Sequence, residues 1–298
     1  MTNNGVVIDD TFAEAFGMRA TRVVITAANA AWARHAAVAM TGFATSVIAC
    51  GCEAGIEREL AGDATPDGRP GVSVLVFAVS KAELGKQVER RIGQCVLTSP
   101  TSAAYSGLDA DERIDLGRKL RYFGDGFQTS KLIGERRYWR IPVMDGEFVC
   151  EESAGATRAI GGGNLLVVAD GVAQALAACE AAIAAMRHVR GVIMPFPGGI
   201  VRSGSKIGSK YAALPASTND AFCPTLAGIT QTALDSPALA VLEIVVDGLT
   251  EDDVRNAMRE GIGAICAIGT TGGVRRISAG NYGGKLGKFR FPLRELVA

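Results

Sequence analysis

The feature that most constrains the fold is a unit that recurs along the chain: an apolar run, a segment of helical periodicity and a second apolar run. In chain order the units comprise 22–28, 30–40 and 44–50; 72–79, 81–92 and 94–98; 164–169, 172–187 and 191–196; and 239–246, 251–265 and 273–277. Strand-length apolar runs that alternate with helices predict βαβ units. Two pairs of such units favour an α+β fold of two ferredoxin-like α/β sandwich lobes, each lobe from one pair. A doubly wound parallel sheet is the alternative, and the sequence separates the two only weakly.

The predicted helices begin at recognisable caps. Ser80, with Glu83 three residues later, forms a capping-box pattern, and Leu84 and Val88 then continue one apolar stripe. Thr250 precedes three acidic residues, which favour a helix N-terminus because they complement its dipole. Each helix is therefore predicted to bury a single face.

The length of 298 residues favours two domains. The glycine-containing stretch 144–163 is the expected boundary, which gives an N-terminal lobe over 1–155 and a C-terminal lobe over 156–298. Hydrophobic residues make up 48% and charged residues 21%, which is typical of a globular protein and not of a disordered one. Because 31 basic residues balance 31 acidic ones, we expect neither a nucleic-acid nor a membrane partner.

The cysteines indicate a reducing compartment. There are seven, an odd number, and several lie inside apolar runs, as reduced buried thiols do. The N-terminus has neither a basic region nor an apolar region of the signal-peptide kind, and no apolar run reaches the ~18 residues of a membrane span. We therefore expect a cytoplasmic protein. With two histidines in the sequence, no metal site is predicted.

Basic residues concentrate in the stretch 113–140, named here the basic strip. It holds eight basic and three acidic residues, a local charge of +5. One interpretation is a solvated face. The other is a docking surface for a polyanionic ligand tail or for an acidic partner subunit.

Two glycine-rich loops follow the paired units of the second half. The first, 195–210, carries Lys206 and Lys210, and the second, 272–288, carries Asn281 and Lys285. Backbone N–H groups beside a flexible cation can bind an anion or an oxyanion. Neither loop matches the phosphate-loop pattern. The alternative is that both are turns with solvated lysines.

A polar connection lies between two prolines at 214–224. Its small polar side chains are Ser217, Thr218, Asn219 and Asp220. Such a segment can line a polar cleft that holds a substrate. It can equally form an Asx-type turn that satisfies its own backbone.

Glu243 is the most informative single residue, because it is the only charge in the apolar run 239–246. On a strand it projects to the same side as Val241 and Val245. An unpaired buried carboxylate is costly, so the side chain either reaches solvent, meets a cation or stays protonated with a raised pKa. In the last case it is a candidate general acid near neutral pH.

Several motifs closely resemble the formylmethanofuran:tetrahydromethanopterin formyltransferase family. The resemblance extends from residue 4 to about residue 296 and keeps the order of the motifs. The motifs are NGVVIDDTFAEAF from Asn4, TGFATSVI from Thr41, TPDGRPGV from Thr65, RIGQCV from Arg91, PFPGGIV from Pro195, LPASTNDAFCPT from Leu214 and SAGNYGGKLG from Ser278. So many long motifs make the match far more specific than a single fingerprint.

This resemblance implies an acyltransferase of one-carbon metabolism. It would move a formyl group between the amine of methanofuran, or of a bacterial analogue, and N5 of tetrahydromethanopterin. These carriers are substrates, and no tightly bound cofactor is implied. The family's proposed acid/base glutamate matches Glu243. The substrate contacts implied by the matching motifs are Lys206, Lys210, Ser217, Thr218, Asn219, Asp220, Asn281 and Lys285.

The sequence departs from the archaeal members of the family in its charge. Those members are strongly acidic and carry an acidic segment where this chain has the basic strip, whereas the net charge here is zero. The departure points to a bacterial methylotroph, in which the similar polypeptide is the transferase subunit of a formyltransferase/hydrolase complex engaged in formaldehyde oxidation. The expected partners are therefore hydrolase-complex subunits as an alternative to the family's homotetramer. A non-catalytic scaffold subunit and, more weakly, a nucleotide-binding protein are the competing functional hypotheses.

Overall fold

The computed structural model describes residues 1–236 and 239–297 and divides into two compact units. The N-terminal unit is Met18–Ala159, and the C-terminal unit combines Met1–Gly17 with Ile160–Ala298. This division differs from the expected lobes 1–155 and 156–298. The first 17 residues join the C-terminal unit because they pair with its last strands, with Val7 opposite Arg276 and Phe12 opposite Pro292.

The elements are numbered in chain order. The strands are β1 (Thr2–Asn3), β2 (Val6–Ile8), β3 (Phe12–Thr26), β4 (Glu53–Leu60), β5 (Gly71–Ala78), β6 (Ala103–Ser106), β7 (Glu112–Asp115), β8 (Thr129–Ile133), β9 (Arg136–Val143), β10 (Gly146–Glu151), β11 (Ser153–Ala169), β12 (Val192–Ile193), β13 (Ile200–Val201), β14 (Lys206–Ile207), β15 (Ala216–Ser217), β16 (Ala240–Gly248), β17 (Val274–Ser278) and β18 (Phe289–Pro292). The α-helices are α1 (Ala30–Thr41), α2 (Val47–Cys50), α3 (Lys81–Arg91), α4 (Gly117–Leu120), α5 (Val172–Met186) and α6 (Glu251–Ile268).

The N-terminal unit has the chain order of a ferredoxin-like fold. Its central strands lie in the order β4, β5, β3 and β6, and each neighbouring pair is antiparallel. Helices α1 and α3 contribute Ala36 and Leu84 to one core with Val74 of β5. Ser80 accepts a hydrogen bond from the N–H of Glu83, so the predicted cap of α3 is confirmed.

Two predicted strands of this unit are wrong. The run 44–50 contains the short helix α2, which begins where Ser46 accepts a hydrogen bond from the N–H of Ile48. The run 94–98 lies in a turn of π-helix at Ile92–Val96 that continues α3. Short apolar runs fit a buried strand and a buried helical turn equally well, which is why periodicity misassigned both.

The C-terminal unit repeats the same topology. Strand β16 lies between β11 and the pair β12 and β13, and β17 lies on the other side of β11, all antiparallel. Helices α5 and α6 pack their apolar faces into one core with this sheet. The antiparallel pairing excludes the doubly wound parallel sheet and confirms the α+β prediction of two ferredoxin-like lobes.

Many side chains of the basic strip have acidic partners within the N-terminal unit. Arg113 and Arg136 approach Glu151, whose side chain is 2% exposed, at 3.2 and 3.8 Å. Arg137 lies 3.8 Å from Glu152. The strip is therefore partly a structural network around glutamates that follow β9, and is not wholly a solvated face.

Within the described ranges, the helices are all too short or too polar to serve as membrane-crossing segments.

Candidate active site

Glu243 lies on the middle strand of the C-terminal unit. Its neighbours across the sheet are Leu166 of β11 and Val201 of β13. The adjacent residue, Ile244, belongs to the core under α5 and α6, so strand alternation directs Glu243 to the opposite face of the sheet. The Glu243 residue is only 6% exposed.

The environment of this carboxyl keeps it neutral more readily than an ordinary glutamate. In residues 1–236 and 239–297, its side chain makes no hydrogen bond or ion pair. Burial raises the pKa of Glu243 to about 7. Of the three alternatives that the sequence left open, the structure therefore shows the buried acid with a raised pKa. Near neutral pH both protonation states are populated, as proton transfer requires.

A second buried glutamate, Glu14, organises the loop that follows β17. Its Oε2 accepts hydrogen bonds from the N–H groups of Tyr282 and Gly284, each at 3.0 Å. Its Oε1 accepts from the N–H groups of Leu286 and Gly287. Burial alone raises the pKa of Glu14, but these four backbone donors outweigh it and hold that pKa below its usual value.

Sequence reasoning missed Glu14, although the signal that singled out Glu243 is present there too. Glu14 is the lone charge in the stretch Phe12–Phe16, between two alanines. It is fully buried. An isolated acid in an apolar strand therefore marks both buried carboxyls of this unit.

Tyr282 connects the Glu14 loop to the surroundings of Glu243. Its hydroxyl donates a hydrogen bond to the backbone oxygen of Ser205 at 3.1 Å. Burial, followed by the charge of Glu243, raises the pKa of Tyr282 to about 12. The phenol is therefore a neutral group in electrostatic contact with the candidate acid.

The two polar segments predicted to bind substrate lie together. Strand β14 pairs with β15, which places Lys206 opposite Ser217. The Lys206 ammonium forms an ion pair with Asp220, and the pairing lowers the pKa of Asp220. The Ser217 hydroxyl donates to the backbone oxygen of Gly208 at 2.7 Å. Much of this cluster's hydrogen-bonding capacity is thus used inside the cluster, which agrees with the predicted self-satisfied turn.

Other predicted substrate contacts divide in the same way. The Thr218 hydroxyl lies 3.3 Å from the Cys223 sulfur, which also approaches the backbone oxygen of Asn219. Asn281 closes an Asx-type turn by accepting from the N–H of Gly283 at 3.0 Å. Lys210 and Lys285 are exposed, so each can present its charge to a ligand.

The comparisons with known proteins decide the family. The family model for formylmethanofuran-tetrahydromethanopterin formyltransferase matches residues 1–143, and the model for the proximal lobe of the same family matches residues 146–296. The chain belongs to this formyltransferase family. Its match extends over both units, so the resemblance inferred from the motifs is confirmed.

Curated relatives and a solved structure agree with the family models. A formylmethanofuran–tetrahydromethanopterin formyltransferase of Methylococcus capsulatus is 67% identical, with 100% of each chain covered. Another protein of that name, from Methylobacillus flagellatus, is 66% identical over 100% of each chain. The crystal structure of the formyltransferase/hydrolase complex (FhcABCD) from Methylorubrum extorquens with methylofuran contains a chain that is 50% identical. That chain has a TM-score of 0.97, with 100% of this chain and 99% of that chain covered.

The chemistry available to this formyltransferase-family member resides in its carboxyl, phenol and loop groups. In the part of the chain that the structure describes, no three His, Cys, Asp or Glu side chains are grouped as metal ligands. The described cysteines are free thiols, and Cys179 and Cys150 are buried with raised pKa values. Burial thus makes these two poor nucleophiles.

Proposed function

We propose that the chain transfers a formyl group between the amine of methanofuran, or of a bacterial analogue, and N5 of tetrahydromethanopterin. Membership of the formyltransferase family supports the reaction. The single observation that carries the mechanism is the buried, unpartnered carboxyl of Glu243, with a pKa of about 7. No tightly bound cofactor takes part, because both carriers are substrates.

Transfer of a formyl group between two amines is an acyl substitution. The incoming nitrogen adds to the formyl carbon, and the carbonyl oxygen of the tetrahedral intermediate carries the negative charge. One proton must leave the incoming nitrogen, and one must reach the departing nitrogen before the old C–N bond breaks. Glu243 supplies a proton to the departing amine and recovers one from the incoming amine, so its net protonation is unchanged over a turnover.

The loops around Glu243 position the carriers. Backbone N–H groups of the glycine-rich loops, with Lys206 or Lys285, stabilise the oxyanion or hold the bound carrier. The other proposed substrate contacts are Lys210, Ser217, Thr218, Asn219, Asp220 and Asn281. Fixing two large substrates in reactive geometry supplies much of the rate enhancement for such a bimolecular reaction.

We further propose that the chain works in the cytoplasm as part of an oligomer. Free cysteines throughout the described residues fit a reducing compartment. A chain with a TM-score of 0.97 belongs to a formyltransferase/hydrolase complex, which supports hydrolase-complex subunits as partners. A homo-oligomer remains the second form of assembly in this proposal, and methylotrophic growth is the proposed setting.

The test of the mechanism is Glu243→Gln in the isolated chain, assayed for formyl transfer with both carriers. Glutamine keeps the shape of the side chain but neither gives up nor takes up a proton at neutral pH. We expect kcat to fall by about 10²–10⁴-fold, the range of general acid–base catalysis, and KM to stay within a few fold of the wild type. Glu59→Gln, at an exposed glutamate of β4, is the matched control and should retain full activity.

Full turnover by Glu243→Gln would remove Glu243 from the mechanism while leaving the transferase activity intact. An isolated wild-type chain that neither transfers formyl groups nor binds either carrier would contradict the enzymatic proposal and favour the scaffold subunit. Titration with ATP or NAD in the same binding assay covers the nucleotide hypothesis.

A further inference from the structure

The carboxylate of Glu14 is a fixed point from which a long loop is suspended. Residues 282–287 would otherwise bury several backbone N–H groups without acceptors, a costly arrangement. Glu14 accepts four of them, and its own N–H donates to the carbonyl of Gly280 at 3.0 Å. A single side chain therefore sets the path of the whole segment.

The same segment is anchored to the sheet beside Glu243. Asn164 of β11 accepts a hydrogen bond from the N–H of Gly280 at 2.7 Å. Asn164 lies opposite Val245, which projects to the same side of β16 as Glu243. The loop is thus attached one side-chain position along the strand from the candidate acid.

Gly280 leaves the space that Tyr282 occupies. A Cβ on Gly280 would lie 2.6 Å from Nδ2 of Asn164 and 2.8 Å from the hydroxyl oxygen of Tyr282. Real Cβ atoms do not approach other atoms so closely, so only glycine allows the phenol to fold back over this point. The Ser205 carbonyl holds the hydroxyl from the other side.

We propose that Glu14 is a positioning residue for Glu243: by holding the loop from Gly280 to Gly287, it fixes the Tyr282 phenol beside the Glu243 carboxyl and keeps water away from it. Leu166 and Val201, the cross-strand neighbours of Glu243, are apolar and carry no charge. Tyr282 is accordingly the titratable group that faces Glu243 within the described residues. This inference rests on the proposed catalytic role of Glu243.

The experiment compares the pH dependence of kcat for the wild type, Glu14→Gln, Gly280→Ala and Glu243→Gln. As a proton donor, Glu243 makes the wild-type rate fall as pH rises through about 7. Glutamine at position 14 brings an NH₂ group against backbone N–H groups and releases the loop. Gly280→Ala displaces Tyr282 without touching Glu14. We expect both variants to move the midpoint of the alkaline limb downward by about one pH unit or more, because water then reaches Glu243.

The control is Asp170→Asn, which removes an exposed carboxylate paired with Arg275 and should keep the wild-type limb. If Glu14→Gln fails to fold, Gly280→Ala still decides the outcome. A lower kcat with the limb unmoved in both folded variants, or in Gly280→Ala alone, would reduce Glu14 to a structural role and overturn the inference. Retention of the limb and of activity by Glu243→Gln would instead refute the proposed function.

Discussion

The surroundings of Glu14 and those of Glu243 are opposites within one unit. Both are lone glutamates on β-strands, and both are almost fully inaccessible to solvent. Glu14 meets four backbone N–H groups, which hold its pKa below the usual value despite burial. Glu243 meets none, and burial raises its pKa to about 7.

The contrast shows that burial alone does not determine what a carboxyl does. Desolvation disfavours the charged form in both places, and the hydrogen bonds to Glu14 outweigh it. A glutamate that is permanently ionised and saturated with donors is suited to holding a loop. A glutamate without donors that titrates near neutrality is suited to moving a proton.

The largest effect on stability is expected from Glu14→Gln. Its single acceptor oxygen leaves two of the four N–H groups without a partner, which costs about 4 kcal/mol at 1–3 kcal/mol for each buried donor. Because the pKa of Glu14 is lowered in the folded state, its contribution is present above the unfolded-state pKa and is lost as pH falls through the folded-state pKa. Urea unfolding should therefore show a large loss at pH 7 that narrows under acidic conditions.

Equal stability of Glu14→Gln and wild type at pH 7 would break the comparison. Glu59→Gln, at an exposed position, is the reference for a change of charge without burial.

The second prediction has the opposite sign: Glu243→Gln should stabilise the protein at alkaline pH. The pKa of Glu243 rises from 4.5 to about 7 on folding, so its ionisation opposes folding increasingly as pH rises from 4.5 through 7. Because a tenfold change in a proton-binding constant corresponds to about 1.36 kcal/mol, the stability difference approaches about 3 kcal/mol above pH 8. The measurement is the free energy of unfolding of both proteins at pH 5 and at pH 8.

A stability difference that does not change between these two pH values would show that Glu243 titrates normally. Such a result would place Glu243 in the same class as an exposed glutamate.

The smallest effect is expected from Tyr282→Phe. This variant removes the hydroxyl and its bond to Ser205 but keeps the aromatic ring. A single neutral hydrogen bond contributes about 1 kcal/mol, so the unfolding midpoint should fall slightly. A loss as large as that of Glu14→Gln would mean that the hydroxyl, and not the carboxylate of Glu14, is the main anchor of the loop.

Much of the fold was predictable because the helices and central strands carry regular apolar patterns. The edge strand β4 was missed because its sequence, EAGIEREL, mixes charges with apolar residues and resembles a polar connection. An adjacent apolar run was taken for a strand in its place. The long central strands β5, β11 and β16 lie where the patterns predicted them.

The candidate site was predictable only in part. The lone charge of Glu243 marked it in the sequence, but its burial without a partner depends on strands far apart in the chain. Glu14 has the same local signal, and its four donors lie 268 to 273 residues away. Local patterns therefore identify buried acids without revealing which of them will be neutral, since long-range hydrogen bonds determine that.

The strand pairing also sets an order for biosynthesis. Val7 and Phe12 find their partners on β17 and β18, which are among the last residues to leave the ribosome. The N-terminal unit, Met18–Ala159, contains its own sheet and can be completed while translation continues. The first residues synthesised must therefore wait for the last ones, and the Glu14 anchor closes only when the polypeptide is nearly finished.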